Sequence, residues 1–341
     1  MSGEATLNLF EQQARNRHQT VAWMVAFVLF LGWLGFGGDL ALYFASVDQM
    51  GEAHYTVPWM GIVILGIASL VTWNAWRKGP QRILWSTGAQ EVLAPQTHEE
   101  KQFVNVVEEM AIAAGLPKPR IYIVEDPDPN AFATGHGPED ASITVTRGLL
   151  TALSREELQA VVAHEMGHVQ NLDVRLMTTI AALVGLIVLL SDGMGRFIRF
   201  GGLGGRGGRS KGGGAGAIAL VILVLWVITL ILAPIISQLM AMGVSRNREY
   251  LADATGAQLT RNPGALASAL EKIDAAAEPT KSIKRGAAHL CIADPLGRKV
   301  NEHEGMFANV FGTHPPIRQR IIRLKGMAFQ QIKAAGELPT A

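Results

Sequence analysis

His164-Glu165-Met166-Gly167-His168 is the stretch on which the reading of this chain turns. Two histidines four residues apart project from the same face of a helix, so two imidazole nitrogens can converge on one zinc ion. Glu165 lies one residue around, within reach of a water on that ion. Two ligands, one proton acceptor and a coordination position left open are the working parts of a metalloprotease. Just upstream, Ser154-Arg155-Glu156-Glu157 reads as a capping box, a serine with a glutamate three residues on. The helix it starts continues through Leu158, Val161 and Val162 into the motif. The plainer reading, two surface histidines on an ordinary amphipathic helix, loses ground to the features that follow.

On either side of this helix the chain is unusually apolar. Of its 341 residues 49% are hydrophobic, and the mean hydropathy is +0.21, high for a soluble enzyme. That length allows one sizeable domain with added segments, or two small domains. One apolar run extends from Thr20 to Val47 with a single charge, Asp39, and another from Val57 to Trp76 with none. Each is long enough to cross a hydrocarbon core as a helix. Arg15 and Arg17 precede the first run, as they would in a signal peptide, but the run is too long and lacks a small-residue cleavage site. A third run, Met177 to Leu190, follows the motif and is marginal in length, so it is read as a tilted span or a segment that dips into the bilayer. A fourth extends from Ala215 to about Met242.

Charge gives the orientation. Arg15 and Arg17 before the first run, and Arg77, Lys78 and Arg82 after the second, place both flanks on the cytoplasmic side. The intervening loop has Asp48 and Glu52 and no lysine or arginine. Arg196, Arg199, Arg206, Arg209 and Lys211 in the glycine-rich connection between the third and fourth runs oppose the simple rule. Four crossings are expected, with a hairpin that enters and returns from one side as the alternative. Gly201 to Gly214 reads as a flexible linker. Most tryptophans, at 23, 33, 59, 73, 76 and 85, flank or lie in the spans and are expected as interface anchors.

A net charge of +1 provides no basic field for nucleic acid, so no nucleic-acid partner is expected. The lone cysteine, Cys291, excludes an intrachain disulfide and a cysteine-based zinc cluster. Metal binding must therefore rest on histidine and carboxylate. His98, His136, His289 and His303 lack a paired ligand at helical spacing and read as surface or loop residues.

Thr97-His98-Glu99-Glu100 is a second capping box, opening a helix through Phe103, Val107, Met110 and Ala111 that ends near Gly115 and Pro117. Pro119 to Val124 and Ser142 to Thr146 read as strands, with Asn130 to Ala133 as a further edge strand. Ser245 to Gln258 reads as a helix, and Asn262-Pro263 caps another running to about Ala277. On the first of these two helices Glu249 and Asp253 are four apart and share a face. Glu249 can supply the third metal ligand while Asp253 accepts a hydrogen bond from the outer nitrogen of a ligand histidine. On spacing alone, a solvated Glu/Arg-rich helix face is the better account of that pair.

Taken together, these residues resemble the HtpX-like family of membrane zinc metalloproteases, relatives of the CAAX prenyl protease, over about residues 95 to 325. The resemblance implies one Zn2+ per chain on His164, His168 and Glu249, with Glu165 as base and Asp253 behind the ligands. It implies that the edge strand Asn130-Ala131-Phe132-Ala133-Thr134-Gly135 pairs with an extended substrate backbone, Asn130 and Ala131 binding substrate; such strand addition tolerates many sequences. Thr313-His314-Pro315-Pro316, followed by Arg320, also matches the family pattern. There His314 is expected to hold the oxyanion and Arg320 to contact substrate. Equally, the prolines set a helix start, with Ile317, Ile321 and Leu324 packing inward.

The expected fold is α+β: a mainly helical zincin-type metalloprotease domain with a small β-sheet, plus about four transmembrane helices. Its layout is a cytoplasmic N-terminus at 1–18, a transmembrane hairpin at 19–78, the first part of the protease domain at 79–173, a second hydrophobic hairpin at 174–243 and the second part at 244–341. The expected activity is hydrolysis of peptide bonds in membrane or membrane-associated proteins at the inner membrane, with the catalytic domain facing the cytoplasm and a quality-control role. The bilayer and protein or peptide substrates are the expected partners. A zinc-stabilised scaffold without proteolytic activity is the rival, and prenyl-protein processing a third reading for which no lipid-sized chamber is evident.

Overall fold

The computed structural model describes residues 9–47, 50–183, 246–276, 282, 290–293 and 315–334. The chain divides into two compact units: Met1–Thr20 with Gly79–Ala182 and Met240–Ala341, and Val21–Lys78 with Leu183–Leu239. The described part is mostly helical with one small mixed sheet.

Helices α1 (Leu9–Ala45) and α2 (Trp59–Ser86), whose middle parts make up the described portion of the second unit, are long and apolar enough to cross a membrane. They turn their large apolar side chains outward: Leu29, Trp33, Ile67, Leu70 and Trp73 are all exposed, the reverse of a soluble hairpin and what a lipid environment demands. Asp39, the one charge in the first run, is buried and accepts from the backbone N–H groups of Met60 and Gly61 and from the Tyr55 hydroxyl. It thus caps, from the neighbouring helix, the orphan N–H groups that begin α2. Beyond residue 183 the rest of the third apolar run and the whole of the fourth lie outside the described residues, and so do the third and fourth of the expected crossings.

The first unit is built around the motif helix. Thr97 opens α3 (His98–Ala114) with both halves of its capping box formed, and Gly115 closes it in the left-handed conformation. One strand, β1 (Gln90–Glu91), precedes α3, and three follow it: β2 (Arg120–Val124), β3 (Ala131–Thr134) and β4 (Ser142–Thr146). The sheet order is β1-β2-β4-β3, with β2 parallel to β4 and the other pairs antiparallel. β3 therefore lies at an edge, as expected, while β1 was not legible because two exposed residues carry no alternation. A short helix α4 (Arg147–Ala152) leads to α5 (Arg155–Gln170), opened by Ser154 and Glu157 as a formed capping box. Residues 173–183 are helical again. Past the undescribed stretch come α6 (Arg246–Thr260), α7 (Pro263–Ala275, capped by Asn262) and α8 (Ile317–Ala334).

Helix α5 is central, buried from Ala160 to Val169, with α3, α6, α7 and β3 packed around it. Val161, Val162 and Met166 share one apolar cluster with Phe103 and Val107 of α3, Ile143 and Val145 of β4, and Leu266 and Leu270 of α7. Burial on all sides is why this helix carries little amphipathic signal. Its contact with α6 is close. A Cβ on Gly167 would meet the Thr255 Cβ at 3.2 Å, and one on Gly256 would meet the His164 backbone nitrogen at 3.1 Å. Two glycines let two backbones approach, and that approach brings the acidic face of α6 to the histidines of α5.

Candidate metal centre

His164 and His168 lie one turn apart on α5, their rings edge to face with centroids 4.8 Å apart. Glu249, in the first turn of α6, reaches both: its Oε2 is 3.7 Å from the His164 Nε2 and its Oε1 is 3.6 Å from the His168 Nε2. The three groups offer ligand atoms all within 4.8 Å of one another, and all three are buried. With bonds of about 2.0–2.1 Å, tetrahedral ligand atoms sit roughly 3.3 Å apart, so small movements close this triangle on an ion.

Both outer nitrogens find carboxylates, which turns both Nε2 atoms toward Glu249, and the Arg320 Nη2 lies 3.4 Å from the His164 Nε2. Asp253, one turn beyond Glu249, has its Oδ1 3.1 Å from the His164 Nδ1. Asp173 does the same for the second histidine, its Oδ2 lying 3.3 Å from the His168 Nδ1. Sequence reasoning missed Asp173. The usable signal was chemical: if the first ligand histidine needs an acidic partner, so does the second, and an aspartate stands five residues on.

Glu165 is buried beside the ligands, and its charge acts on both His168 and Arg320. Arg320 is fully buried and forms a two-pronged pair with Asp253, Nε to Oδ2 at 2.9 Å and Nη2 to Oδ1 at 2.7 Å. Its Nη1 lies 3.1 Å from the Glu249 Oε2 and donates to the Ile292 carbonyl at 3.0 Å. The arginine expected on substrate is thus turned inward onto the carboxylates behind the ligands. A buried guanidinium must find such partners.

The electrostatics favour a cation. Four buried carboxyl groups, on Glu165, Asp173, Glu249 and Asp253, outnumber the two buried guanidinium groups, on Arg248 and Arg320. Burial alone would lower the His168 pKa, but the hydrogen bond to Asp173 and the charges of Glu249, Asp173 and Glu165 raise it to about 9. On His164 the order reverses: burial and the nearby Arg320 lower its pKa despite Asp253. For Asp253, burial pushes upward, yet the charge and hydrogen bonds of Arg320, with the bond to His164, hold the carboxyl below its ordinary value. The donor set of two imidazoles and a carboxylate in an anionic cage fits a zinc ion.

At the sheet edge the structure departs from expectation. Asn130 is fully buried; its N–H donates to the Thr146 Oγ1 at 2.9 Å, its Oδ1 accepts from the Ala131 N–H at 3.0 Å, and its Nδ2 donates to the Ala293 carbonyl at 3.1 Å. The Ala131 carbonyl accepts from the Ile292 N–H at 2.9 Å, and Phe132 bridges to Cys291 in antiparallel fashion. The edge groups expected for substrate are here engaged by the chain's own Cys291 to Ala293. His314 lies outside the described residues.

Comparison with known proteins agrees with the geometry. Residues 97–328 match the family model of Peptidase family M48. A protease HtpX homolog of Thermoanaerobacter pseudethanolicus is 41% identical over 321 residues, covering 94% of this chain and 98% of that one. A protease HtpX homolog of Lactobacillus helveticus is 38% identical over 320 residues, covering 94% and 100%. Among solved structures, the crystal structure of S. mikatae Ste24p aligns with 89% of this chain and 66% of that one, at 18% identity and a TM-score of 0.44.

Proposed function

This chain belongs to peptidase family M48, and from that premise we propose that it is a membrane-embedded zinc endopeptidase that hydrolyses peptide bonds of membrane or membrane-associated proteins in quality control. The observation that carries the reading is the convergence of His164, His168 and Glu249 with Glu165 one residue from the first ligand. Among the described residues three protein donors converge, which leaves one tetrahedral position for water and substrate, whereas a structural zinc site is closed by four. That difference favours an enzyme over a zinc-stabilised scaffold.

Zinc, when bound, supplies a water of lowered pKa and Lewis acidity toward a scissile carbonyl. Glu165 takes the proton from the attacking water and hands it to the leaving amine. Asp253 and Asp173 hold the ligand histidines in the tautomer that presents Nε2. Arg320 keeps Asp253 and Glu249 aligned and ionised in a buried setting. His314 is assigned to the oxyanion. Substrate is read as an extended segment that pairs with β3 in place of the chain's own Cys291 to Ala293, a mode that suits a protease acting on many damaged sequences. The flanking Arg15, Arg17, Arg77, Lys78 and Arg82 support a catalytic unit on the cytoplasmic face.

The test is zinc stoichiometry with casein cleavage or self-cleavage in detergent, with and without a chelator, for the parent and Glu165→Gln. One zinc per chain in both proteins, chelator-sensitive cleavage in the parent, and a loss of roughly 10²–10⁴-fold in the variant are expected. Cleavage by the zinc-loaded variant at the parent rate would remove Glu165 from its role. A zinc-loaded parent that cleaves nothing would return the scaffold reading.

A further inference from the structure

The first turns of α1 belong to the same compact unit as the metal centre. Asn16, in the second turn, is 1% exposed. Its Nδ2 donates to the Asn171 carbonyl at 2.8 Å and to the Asp173 Oδ1 at 2.7 Å. The other oxygen of that carboxylate is the one beside the His168 Nδ1. Arg248, next to the ligand Glu249, completes the cluster: its Nε lies 3.5 Å from the Asp173 Oδ1, and its Nη2 bonds the Gln19 side chain. Gln13 docks the same helix face through its Nε2 to the Gln170 carbonyl at 2.7 Å.

A buried primary amide is costly unless its donors are used. Here they are spent on the turn that carries Asp173 and on Asp173 itself. We infer that Asn16 is a positioning residue for the metal centre: the start of the first membrane helix fixes Asp173, which fixes His168, so the metal site is complete only with that helix docked. Asp173 has two oxygens and one must face His168; a donor from α1 on the other oxygen sets the rotation of the carboxylate. Arg248 adds charge from the α6 side but lies farther away, so Asn16 determines the geometry. The inference rests on the metal-site reading and adds to it a dependence on residues about 150 positions upstream.

The experiment measures zinc affinity of the full-length protein in detergent by chelator competition, together with the zinc-induced rise in thermal midpoint, for the parent, Asn16→Ala, Gln13→Ala, Asp173→Ala and the Asn16→Ala/Asp173→Ala double variant. Partners behind metal ligands typically contribute 10–100-fold in affinity. Asn16→Ala is expected to weaken zinc about 10-fold, and Gln13→Ala, which loosens docking without touching Asp173, to change it less than about twofold. On the Asp173→Ala background, Asn16→Ala is expected to have no further effect, since a residue acting through another is silent once the other is gone. An equal loss with and without Asp173, or an equal loss from Gln13→Ala, overturns the inference in favour of simple helix docking. Asn16→Ser, which keeps one donor, falls between parent and alanine and carries the same cycle should the alanine variant not fold. Zinc affinity is read independently of cleavage, so a variant series that behaves as expected in a protein that cleaves nothing would sink the protease reading alone. A parent that binds no zinc would sink both.

Discussion

The Oδ2 of Asp173 lies 3.3 Å from the Nδ1 of His168, although helical spacing would carry a residue five positions on to a different face. What returns it is the turn between them. Asn171 ends α5, and Leu172 adopts the left-handed conformation at φ 59°, which costs a bulky L-residue roughly 1–2 kcal/mol. Burial of the Leu172 side chain, 5% exposed, offsets that strain. Asp173→Asn keeps an acceptor for the histidine but removes the charge, leaving Arg248 under-compensated. Zinc affinity, measured by chelator competition, is expected to fall 10–100-fold with the fold retained by circular dichroism.

How far the site could be read from the chain depended on whether its geometry is periodic. His164, Glu165 and His168 share one helical turn, and Glu249 and Asp253 another, so spacing puts each pair of partners on one face, while it was the family resemblance that brought Glu249 to the histidines. Asp173 is reached through a left-handed residue and Asn16 through a tertiary contact, and neither has a period to betray it. The capping boxes at Thr97 and Ser154 were legible because the reciprocal bonds they form are local. Strands β2, β3 and β4 were legible as β-rich runs bounded by Pro, Asn and Asp. Their order was not, since the parallel pairing of β2 with β4 depends on packing against α3 and α5. Arg320 reads in sequence as a substrate contact beside a Pro-Pro turn, and only the packing of α8 against α6 shows it buried on Asp253.

Gly256 lies against the backbone of His164, where an added Cβ would stand 3.1 Å from its nitrogen and 3.3 Å from its Cα. Backbone cannot rotate aside as a side chain can, so Gly256→Ala must push α6 from α5 and carry Glu249 away from the histidines. Overpacking of this kind costs about 1–3 kcal/mol, against which the higher helix propensity of alanine recovers up to about 1 kcal/mol. The zinc-bound protein is therefore expected to lose more thermal stability than the zinc-free one, a difference that parallel melts with and without chelator would show. Equal losses in both would mean that the glycine serves packing only.

Glu157 links the start of the motif helix to α7. Its Oε2 accepts from the Ser154 N–H and from the Lys272 ammonium, both at 2.7 Å, and its Oε1 accepts from the Ser268 hydroxyl at 2.6 Å. Burial would raise its pKa, but the bonds from Lys272, Ser268 and the Ser154 backbone together hold it below the ordinary 4.5. A carboxyl depressed in the folded state gives its stabilisation in full above that ordinary value and loses it as pH falls through the lower, folded value. Lys272 is half exposed and screened, so the contribution is on the order of 1 kcal/mol. Glu157→Gln is expected to melt a few degrees below the parent at pH 7, with the gap narrowing below about pH 4.5. A gap that is constant with pH would show that the charge is immaterial and shape alone matters.

Arg320 separates charge from geometry. Its two-pronged pair with Asp253, its approach to Glu249 and its bond to the Ile292 carbonyl use the planar fork of a guanidinium, which an ammonium cannot reproduce. Arg320→Lys keeps the positive charge and is expected to weaken zinc about 10-fold, because Asp253 and through it His164 lose their orientation. Arg320→Leu leaves Asp253 and Glu249 buried with one fewer counter-charge, a change that costs about 3–5 kcal/mol when one partner of a buried pair is removed. The leucine variant should therefore be markedly destabilised without metal and partly rescued by zinc, whose two positive charges substitute for the one removed. Melting curves across a zinc titration would show a larger zinc-induced rise for leucine than for lysine. The reverse order would mean that Arg320 acts on substrate and not behind the ligands.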